Sequence, residues 1–237
     1  MKYSKCVLSL RDQLNMHEKQ KLLSIYKKLY ALFGPQKWWP ADSAFEVIIG
    51  AILTQNTNWK NVEKAIYNLK LAKALNPKAI LESRKSKLEN WLRPSGYYRQ
   101  KTKKLKIFIK HLLARYKGQL RLMFDKPINQ LREELLSIYG IGPETADSIL
   151  LYAAGKQSFV VDAYTRRIGN RVRLYQTNDY HEIKAYFEKN LPTRLEIYKE
   201  FHALLVELAK NYCRSTPLCK PCPLSKSCKF SRSNASS

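Results

Sequence analysis

The sequence predicts an all-α fold, and three observations support this assignment. Apolar residues recur at helical spacing in most segments of the chain, as at Leu22, Ile25 and Leu29. Alternation with a period of two never persists, and only residues 158–161 could form a short strand, although a buried turn fits them equally well. Glycine and proline separate the helical segments at short intervals. The chain is therefore expected to consist of packed helices joined by short loops.

Turn and capping signals give the order of these helices. Gly34-Pro35 ends the first helix, Pro94 ends a run of short ones, and Gly118 caps the helix that follows the basic-aromatic loop RPSGYYRQK. The segment 44–54 is apolar on every side, which predicts a buried central helix. We expect the helices, in chain order, at 14–33, 44–54, 58–74, in short pieces up to 91, around 105–113, 131–138, 143–153, 163–174, 180–191 and 194–212.

One stretch, residues 131–171, combines two helices around a tight turn. Apolar residues at helical spacing lead up to Tyr139-Gly140-Ile141-Gly142, which breaks the pattern. The two glycines let the backbone turn sharply, while Ile141 can fill the space between the helices. Pro143 then begins the second helix. Such a hairpin leaves main-chain N–H groups at a helix N-terminus facing outward, which is a suitable seat for a DNA phosphate.

The charge of the chain indicates a polyanionic partner. It has 43 Lys and Arg against 19 Asp and Glu, a formal net charge of +24. The alternative is a solvated charged surface, but that usually mixes signs, whereas segments such as 99–110 are nearly all positive. The start of the chain has no signal-peptide pattern, and its longest apolar run, 44–53, is too short to span a bilayer. We expect a cytoplasmic, nucleoid-associated monomer that binds nucleic acid and has no membrane partner.

Four of the five cysteines crowd near the C-terminus. Cys213, Cys219, Cys222 and Cys228 are separated by five, two and five residues. In a reducing compartment such a group is a metal site before it is a set of disulfides. A structural zinc site usually has two CxxC pairs and this chain has one, so the spacing favours an iron–sulfur cube, with zinc as the alternative. The bound group would mainly staple a short segment and present neighbouring basic residues to DNA.

Several motifs together resemble the helix-hairpin-helix DNA glycosylases, the superfamily that contains endonuclease III. They are GIGPETA, beginning at Gly140, and VVDAYTRRIGNR about twenty residues further on, and the resemblance covers roughly residues 38–228. It implies an all-α, two-lobed fold, in which the cysteine loop holds a [4Fe-4S] cofactor, although the first cysteine gap is usually six in that superfamily. The implied domains are a central helical bundle with the hairpin at 36–156, a helical iron–sulfur domain at 1–35 and 157–230, and a disordered tail at 231–237.

The resemblance implies which carboxylates carry the chemistry. Release of a base passes through a cation-like sugar, which needs a carboxylate nearby. Asp162 stands at the position of the superfamily's catalytic acid; the alternative is that it only caps the helix that begins at Ala163. Strand-cleaving members carry a lysine just before the Thr-Ala of the hairpin, and its amine forms a Schiff base. Glu144 occupies that position here, which implies a monofunctional enzyme; this acid could orient water, contact the leaving base or simply suit a helix N-terminus.

The same resemblance implies residues that contact DNA. A base must leave the duplex before its sugar can react, and a side chain must fill the space. Gln55, in the motif LTQNT, matches the glutamine that this superfamily inserts, and the alternative is an ordinary polar residue at a helix end. Tyr97 stands where a wedge residue is expected, or it stacks or packs locally. The remaining implied DNA contacts are Gly140, Gly142, Thr145 and Arg166.

Further motifs are similar to the 3-methyladenine DNA glycosylase III branch. This chain shares its WWP loop, LTQNT, RPSG followed by an aromatic and Tyr, and an acid in place of the lysine. Carried over, the base pocket consists of Trp38, Pro40 and Trp59, and an alkylated, cationic purine would be attracted to indole faces. Packing of these aromatic residues in the core is the alternative. The type member of that branch lacks the cysteine cluster, and it has a lysine where this chain has Leu204.

The expected function is therefore a monofunctional DNA glycosylase of base excision repair. It would flip a damaged base, of the alkylated-purine (3-methyladenine) type, out of double-stranded DNA and hydrolyse its N-glycosidic bond. The alternative is an endonuclease III-like glycosylase for oxidised pyrimidines or mismatches, with AP lyase activity from another lysine.

Overall fold

The computed structural model describes residues 10–231, and within this range the chain is helical with no strand. The predicted all-α fold is confirmed. Residues 158–161 are buried but form no strand, so the buried segment expected as the alternative is what the described residues show. The predicted disordered tail, 231–237, lies outside the described residues except for Ser231, which is helical.

Twelve α-helices make up most of this range, joined by short loops. Single 3₁₀ turns lie at Arg93–Ser95 and Ser225–Ser227, and a π-helical turn at Ile149–Ala153 continues α9. The helices are α1 (Leu10–Phe33), α2 (Ala44–Leu53), α3 (Trp59–Leu71), α4 (Pro77–Glu82), α5 (Lys85–Leu92), α6 (Tyr98–Tyr116), α7 (Leu120–Phe124), α8 (Ile128–Ser137), α9 (Pro143–Ser148), α10 (Ala163–Arg171), α11 (Tyr180–Asn190) and α12 (Leu195–Asn211).

The described residues divide into two compact units. One unit, residues 39–158, contains α2 to α9; we call it the hairpin unit. The other combines residues 10–38 with 159–231, and contains α1 and α10 to α12; we call it the cysteine unit. Both changes of unit fall two or three residues after the positions expected from the sequence.

Helix α2 is the centre of the hairpin unit. All of its residues except the first are buried, and it packs against α3, α6, α9 and the π turn. Ser43 begins the helix by accepting the backbone N–H of Glu46 at 3.2 Å, which satisfies one free donor of the first turn. Gly50 leaves room for the ring of Trp39, because a Cβ at this position would lie 3.3 Å from it. The apolar run in the sequence is therefore the core helix.

The turn of the hairpin depends on Gly140. Its φ of +86° lies in the left-handed region, and a Cβ there would come within 2.4 Å of the Lys104 side chain. Ile141 is buried between the two helices, as its place between two glycines predicts. The glycine at 140 is thus required both by the backbone and by the lysine chain that lies over it.

A buried ion pair braces the hairpin from inside. Arg132 of α8 donates from Nε and Nη2 to the two carboxylate oxygens of Asp147 on α9, at 2.8 and 3.0 Å. Asp147 is fully buried and also accepts the Ser158 hydroxyl at 2.6 Å. A buried carboxylate is tolerated when its oxygens are paired in this way. The pair therefore fixes α8 against α9 and also holds the end of the hairpin unit.

In the cysteine unit, aromatic rings fill the core beneath the segment that leads to Asp162. The rings of Phe159 and Phe187 stack with centroids 4.2 Å apart, and Phe201 approaches both edge-on. The backbone N–H of Phe159 donates to the Glu188 carboxylate at 2.9 Å. A side-chain acceptor from α11 therefore does here what a neighbouring strand would do in a sheet.

Candidate functional site

Asp162 begins α10 and is held from two sides. Its Oδ1 accepts the backbone N–H of Thr165 at 2.7 Å, so the capping role that the sequence left open is present. Its Oδ2 lies 3.6 Å from Nε2 of His202, a residue of α12 that is 5% exposed. The Asp162 side chain keeps 15% of its surface exposed. The side chain is therefore fixed in place and still partly exposed.

The pKa of Asp162 is lowered from its ordinary value. Burial by itself raises the pKa of this carboxyl group, but the contacts with His202 and with the Thr165 backbone outweigh burial. The acid therefore carries its negative charge at neutral pH. A fixed negative charge with an exposed edge is what stabilisation of a cation-like sugar requires.

Gln55 is bound to the hairpin rather than extended into solvent. Its amide nitrogen donates to the Gly140 carbonyl at 3.0 Å and to the Thr145 hydroxyl at 2.9 Å, and its oxygen accepts the Lys104 ammonium. Thr145 is buried, so its hydroxyl supports Gln55 and is not exposed for a DNA contact in this arrangement. The insertion of Gln55 into DNA stays a prediction, and it would require these hydrogen bonds to open.

The N-terminus of the second hairpin helix is open. Gly142 is exposed with φ of −92°, and nothing in the protein lies within 4 Å of where its Cβ would be. The turn itself therefore does not require this glycine. Glu144 follows in the first turn of α9 and is exposed, so the position that would carry a nucleophilic lysine presents a carboxylate to solvent.

Tyr97 is the most prominent aromatic side chain near the basic-aromatic loop. It is 69% exposed, and its backbone is left-handed, with φ of 44° and ψ of 29°. This conformation is costly for a residue with a side chain and is typically kept at functional positions. Buried Lys101 donates to the Ser95 carbonyl at 2.6 Å and so fixes the turn before Tyr97. Burial, helped by the charge of Lys104, lowers the pKa of Lys101 to about 8.

The aromatic side chains that contact one another in the hairpin unit are not the same set as the predicted base pocket. Trp59 contacts Trp39 edge-on, with centroids 5.3 Å apart, and Trp39 also contacts Tyr152 at 5.4 Å. Trp38 belongs to the cysteine unit, where the Lys210 ammonium lies 5.4 Å from its ring, and Pro40 is exposed. The structure thus brings together Trp39, Trp59 and Tyr152, which we call the aromatic cluster. Trp39, and not Trp38, is the tryptophan in contact with Trp59, and the chain changes unit between the two. A base pocket formed by Trp38, Pro40 and Trp59 stays a prediction.

The π turn delivers Tyr152 to this cluster. The Ala154 N–H bonds to the Ile149 carbonyl at 2.9 Å, five residues back, where an α-helix would reach back four. This wider turn shifts the residues after it around the helix axis. The spacing of apolar residues does not predict this π turn.

Arg166 lies in the first half of α10, next to the acid along the chain. Its backbone N–H bonds to the Asp162 carbonyl at 3.1 Å, and its side chain is half-buried. The guanidinium is near enough to Tyr175 for its charge to lower the pKa of that phenol, which burial and Asp162 raise. A contact of Arg166 with DNA stays a prediction.

The four C-terminal cysteines carry free thiols and line one cavity of the cysteine unit. Arg171 of α10 supports this loop: it donates to the Cys213 sulfur at 3.4 Å and to the carbonyls of Arg214 and Ser215 at 2.6 and 2.9 Å. Arg167 donates to the Cys213 carbonyl at 2.8 Å. The helix that Asp162 caps therefore also holds the cysteine loop.

The four thiols line a common cavity but are not gathered around a single ion position. Zinc needs its sulfur ligands about 2.3 Å from one point. Within residues 10–231 no three His, Cys, Asp or Glu side chains converge closely enough to hold one ion, whereas the four thiols share a cavity. Burial raises the pKa of Cys222, and the charges of the other three thiols raise it further, so a bound cationic group would favour its thiolate form.

Two residues of the candidate site, His202 and Tyr152, were missed by sequence reasoning. Each lies inside a predicted helix, and no motif singled it out. A lone histidine on an apolar helix face is the single signal that pointed to His202, since a buried histidine requires a partner.

Among residues 10–231 no helix combines the length and the apolar character needed to cross a membrane.

Comparisons with known proteins agree with this geometry. A family model described as HhH-GPD superfamily base excision DNA repair protein matches residues 49–193, more than half of the chain. A putative DNA repair glycosylase of Methanocaldococcus jannaschii is 52% identical over 200 residues, which cover 83% of this chain and 90% of that protein.

Solved structures give the same fold. A 3-methyladenine DNA glycosylase of H. pylori, bound to 1,N6-ethenoadenine, is 32% identical and has a TM-score of 0.69; the match covers 83% of this chain and 97% of that chain. A non-covalent endonuclease III–DNA complex has a TM-score of 0.80 and covers 92% of this chain and 99% of that chain. Its identity is 22%, so this second likeness concerns the fold alone.

Proposed function

The chain belongs to the HhH-GPD superfamily of base excision DNA repair proteins, and from this premise we propose that it is a monofunctional glycosylase for alkylated purines of the 3-methyladenine type. That it is a DNA glycosylase follows from the family; the lesion and the absence of strand cleavage are our proposal. The observation that carries the proposal is the exposed Glu144 in the hairpin, where a strand-cleaving enzyme needs an amine.

The aromatic cluster supports the choice of base. Trp39, Trp59 and Tyr152 offer electron-rich ring faces and edges in the hairpin unit. An N3- or N7-alkylated purine is positively charged, and such a cation is attracted to indole and phenol faces. The H. pylori relative holds an adenine derivative, which agrees with a purine pocket in this part of the superfamily.

In the proposed reaction, Asp162 acts on the sugar and a water molecule completes hydrolysis. The N-glycosidic bond breaks with both electrons leaving on the base, which is already cationic and departs neutral. The sugar becomes cation-like, and the ionised Asp162 stabilises it. Water then adds to the sugar and loses a proton to solvent, which leaves an abasic site. Glu144 would contact the leaving base or orient the water.

The DNA contacts form a separate part of the proposal. Tyr97 would wedge into the duplex, and Gln55 would leave the hairpin to fill the space of the flipped nucleotide. The main-chain N–H groups near Gly140 and Gly142 would bind a phosphate, and Arg166 would add positive charge beside the strand. In this scheme Thr145 would not contact DNA itself, because its hydroxyl accepts a hydrogen bond from Gln55 and so positions that side chain.

We also propose that Cys213, Cys219, Cys222 and Cys228 hold a [4Fe-4S] cluster. When bound, it would supply four metal–thiolate bonds that staple the loop after α12. Purified protein should contain about four iron and four sulfide per chain. Stoichiometric zinc without iron would assign the loop to the alternative metal.

The alternative function is that of an endonuclease III-like glycosylase for oxidised pyrimidines or mismatches, with lyase activity. The cysteine loop favours it, because that loop resembles the endonuclease III cluster. Borohydride trapping separates the two: a lyase gives a covalent protein–DNA adduct, and the proposed enzyme gives none.

The substrate test is release of free bases. Duplexes that carry methylated, oxidised, deaminated or mismatched bases are incubated with the holoprotein, and the released bases are identified. We expect 3-methyladenine and related alkylated purines, and release of oxidised pyrimidines alone would contradict the proposal. We further propose a cytoplasmic monomer, which gel filtration and cell fractionation test.

A further inference from the structure

One buried histidine of the cysteine unit faces the predicted catalytic acid. His202 lies within α12, and its Nε2 is 3.6 Å from Oδ2 of Asp162. The other carboxylate oxygen accepts the Thr165 N–H at 2.7 Å. Each oxygen therefore has its own neighbour, one on α12 and one on α10. At 3.6 Å the contact lies just beyond an ordinary hydrogen bond, and both hydrogen bonding and charge from His202 lower the pKa of Asp162.

We infer that His202 is a positioning residue that keeps Asp162 ionised, so that this acid works by its charge and not as a base that activates water. The inference rests on the proposed function, in which Asp162 stabilises the sugar cation. An enclosed carboxyl group favours its neutral form, and a neutral acid cannot stabilise a cation. A hydrogen-bond donor or a positive charge beside the carboxylate favours the ionised form, and His202 is the neighbour that lowers the pKa of Asp162.

The other titratable groups near Asp162 do not stabilise its ionised form as directly as His202 does. Tyr175 follows α10 and donates its hydroxyl to the Thr165 carbonyl at 2.8 Å; burial raises its pKa, and so does the charge of Asp162, so the phenol stays neutral. Arg166 of α10 adds positive charge on the Tyr175 side. His202 is the group that approaches the free carboxylate oxygen from α12.

That Asp162 acts as a charge and not as a base agrees with the direction in which its pKa is shifted. An efficient base has a pKa near the working pH, and the pKa of Asp162 is displaced below its ordinary value, away from neutrality. A carboxylate that holds its proton weakly is a poor acceptor for a proton from water, but it is a dependable negative charge. Such a charge is sufficient when the leaving base already carries a positive charge.

The direct test is an NMR titration of the Asp162 carboxyl carbon in the full-length, cluster-containing protein, assigned with Asp162→Asn. His202→Leu removes the imidazole and should raise the Asp162 pKa by at least about one unit. His202→Gln keeps an N–H donor in place of the ring and should give an intermediate rise. The matched control is His181→Gln, on the exposed face of α11, which should leave the titration unchanged.

Base release provides the second readout. The acid limb of the single-turnover profile should move upward with the Asp162 pKa, so that His202→Leu loses about tenfold at low pH while DNA affinity is kept. An unchanged Asp162 pKa in a folded His202 variant overturns the inference. Should the leucine variant not fold, the glutamine variant carries the same test. The titration needs no substrate, so a shift without release of alkylated purines contradicts the proposed function and not the role of His202.

Discussion

Asp162 caps α10, and this cap is compatible with the catalytic role that we propose for it. Its Oδ1 caps α10 through Thr165, and its side chain keeps an exposed edge beside His202. A cap fixes the direction of the side chain, since the carboxylate cannot rotate without losing the hydrogen bond. The cap therefore also holds the carboxylate in one orientation, as the proposed reaction requires.

Asp162→Asn should separate chemistry from binding. The amide oxygen can still accept the Thr165 N–H, so α10 should keep its start, but the negative charge is lost. We expect base release to fall by at least about 100-fold while affinity for DNA stays within about twofold. Single-turnover release and a binding isotherm on the same duplex check this. Equal release by mutant and wild type on every damaged duplex would refute the enzymatic role of this acid.

A second acid, Glu134, is a stability element of the hairpin unit. It is buried and accepts the Tyr116 hydroxyl at 2.7 Å, lies 2.6 Å from His111 Nε2, and pairs with the Lys126 ammonium. Burial raises its pKa, but these partners outweigh burial and lower the pKa from 4.5 to about 2. The carboxylate is therefore charged at all ordinary pH values.

Glu134→Gln should cost stability on the order of 3 kcal/mol above pH 5, a fall in Tm of roughly 6–12 °C. The sign follows from linkage: a lowered carboxyl pKa contributes stability above its ordinary value, and this is lost as pH falls from 4.5 towards 2. The difference between variant and wild type should shrink over that window. Denaturant melts at several pH values measure it, and Glu133→Gln, exposed on the same helix, should show almost no effect.

At the scale of the element, the two glycines of the hairpin have different reasons to be glycine. Gly140 is left-handed and lies under Lys104, whereas Gly142 has an ordinary φ and open space above it. The first is required by the fold. The second leaves the backbone accessible, which matters when a phosphate approaches the N–H groups of α9.

These two positions make a matched pair. Gly140→Ala should lower Tm by several degrees, since a left-handed non-glycine residue costs about 1–2 kcal/mol before the clash with Lys104 is added. Gly142→Ala should leave Tm unchanged and weaken binding to any duplex about tenfold. Thermal melts and fluorescence anisotropy measure both. Full DNA affinity in Gly142→Ala would mean that phosphate is bound elsewhere.

The helices themselves could be predicted more completely than the contacts between them. Apolar spacing and the signals at Gly34, Pro94 and Gly118 located most helix ends to within a few residues. The contact between Trp39 and Trp59 could not be predicted, because the adjacent tryptophans Trp38 and Trp39 carry the same sequence signal and only the chain path separates them. His202 was missed because its partner, Asp162, lies forty residues away in sequence, and periodicity contains no information about distant pairs.

For the whole molecule, the charge of +24 implies strong salt dependence of DNA binding. Part of that charge is preorganised near Tyr97, where Arg93 and Arg99 lie 5.6 and 5.8 Å from the Tyr98 ring. Guanidinium groups held on an aromatic ring lose less freedom when they meet phosphates. These two arginines should therefore contribute to affinity for every sequence alike.

Replacing both Arg93 and Arg99 by Gln should reduce the slope of log K against log salt by about two, because each phosphate contact contributes about 0.9. Titrations of an undamaged duplex at several salt concentrations give this slope. Lys85→Gln is the control, since its ammonium already lies 3.8 Å from Glu89 and should not add to the slope. An unchanged slope in the double variant would remove this loop from the binding surface.

The π turn at Ile149–Ala153 ties the orientation of Tyr152 to the length of this segment. Each residue of a regular helix advances the chain by about 100° around the axis, so one surplus residue rotates everything beyond it. Deleting a single residue here would restore an ordinary helix and turn Tyr152 away from Trp39, although no aromatic side chain had been altered. Members of the family that lack this surplus residue should therefore accommodate bases of a different shape, and counting residues between the hairpin glycines and the acid offers a way to sort them.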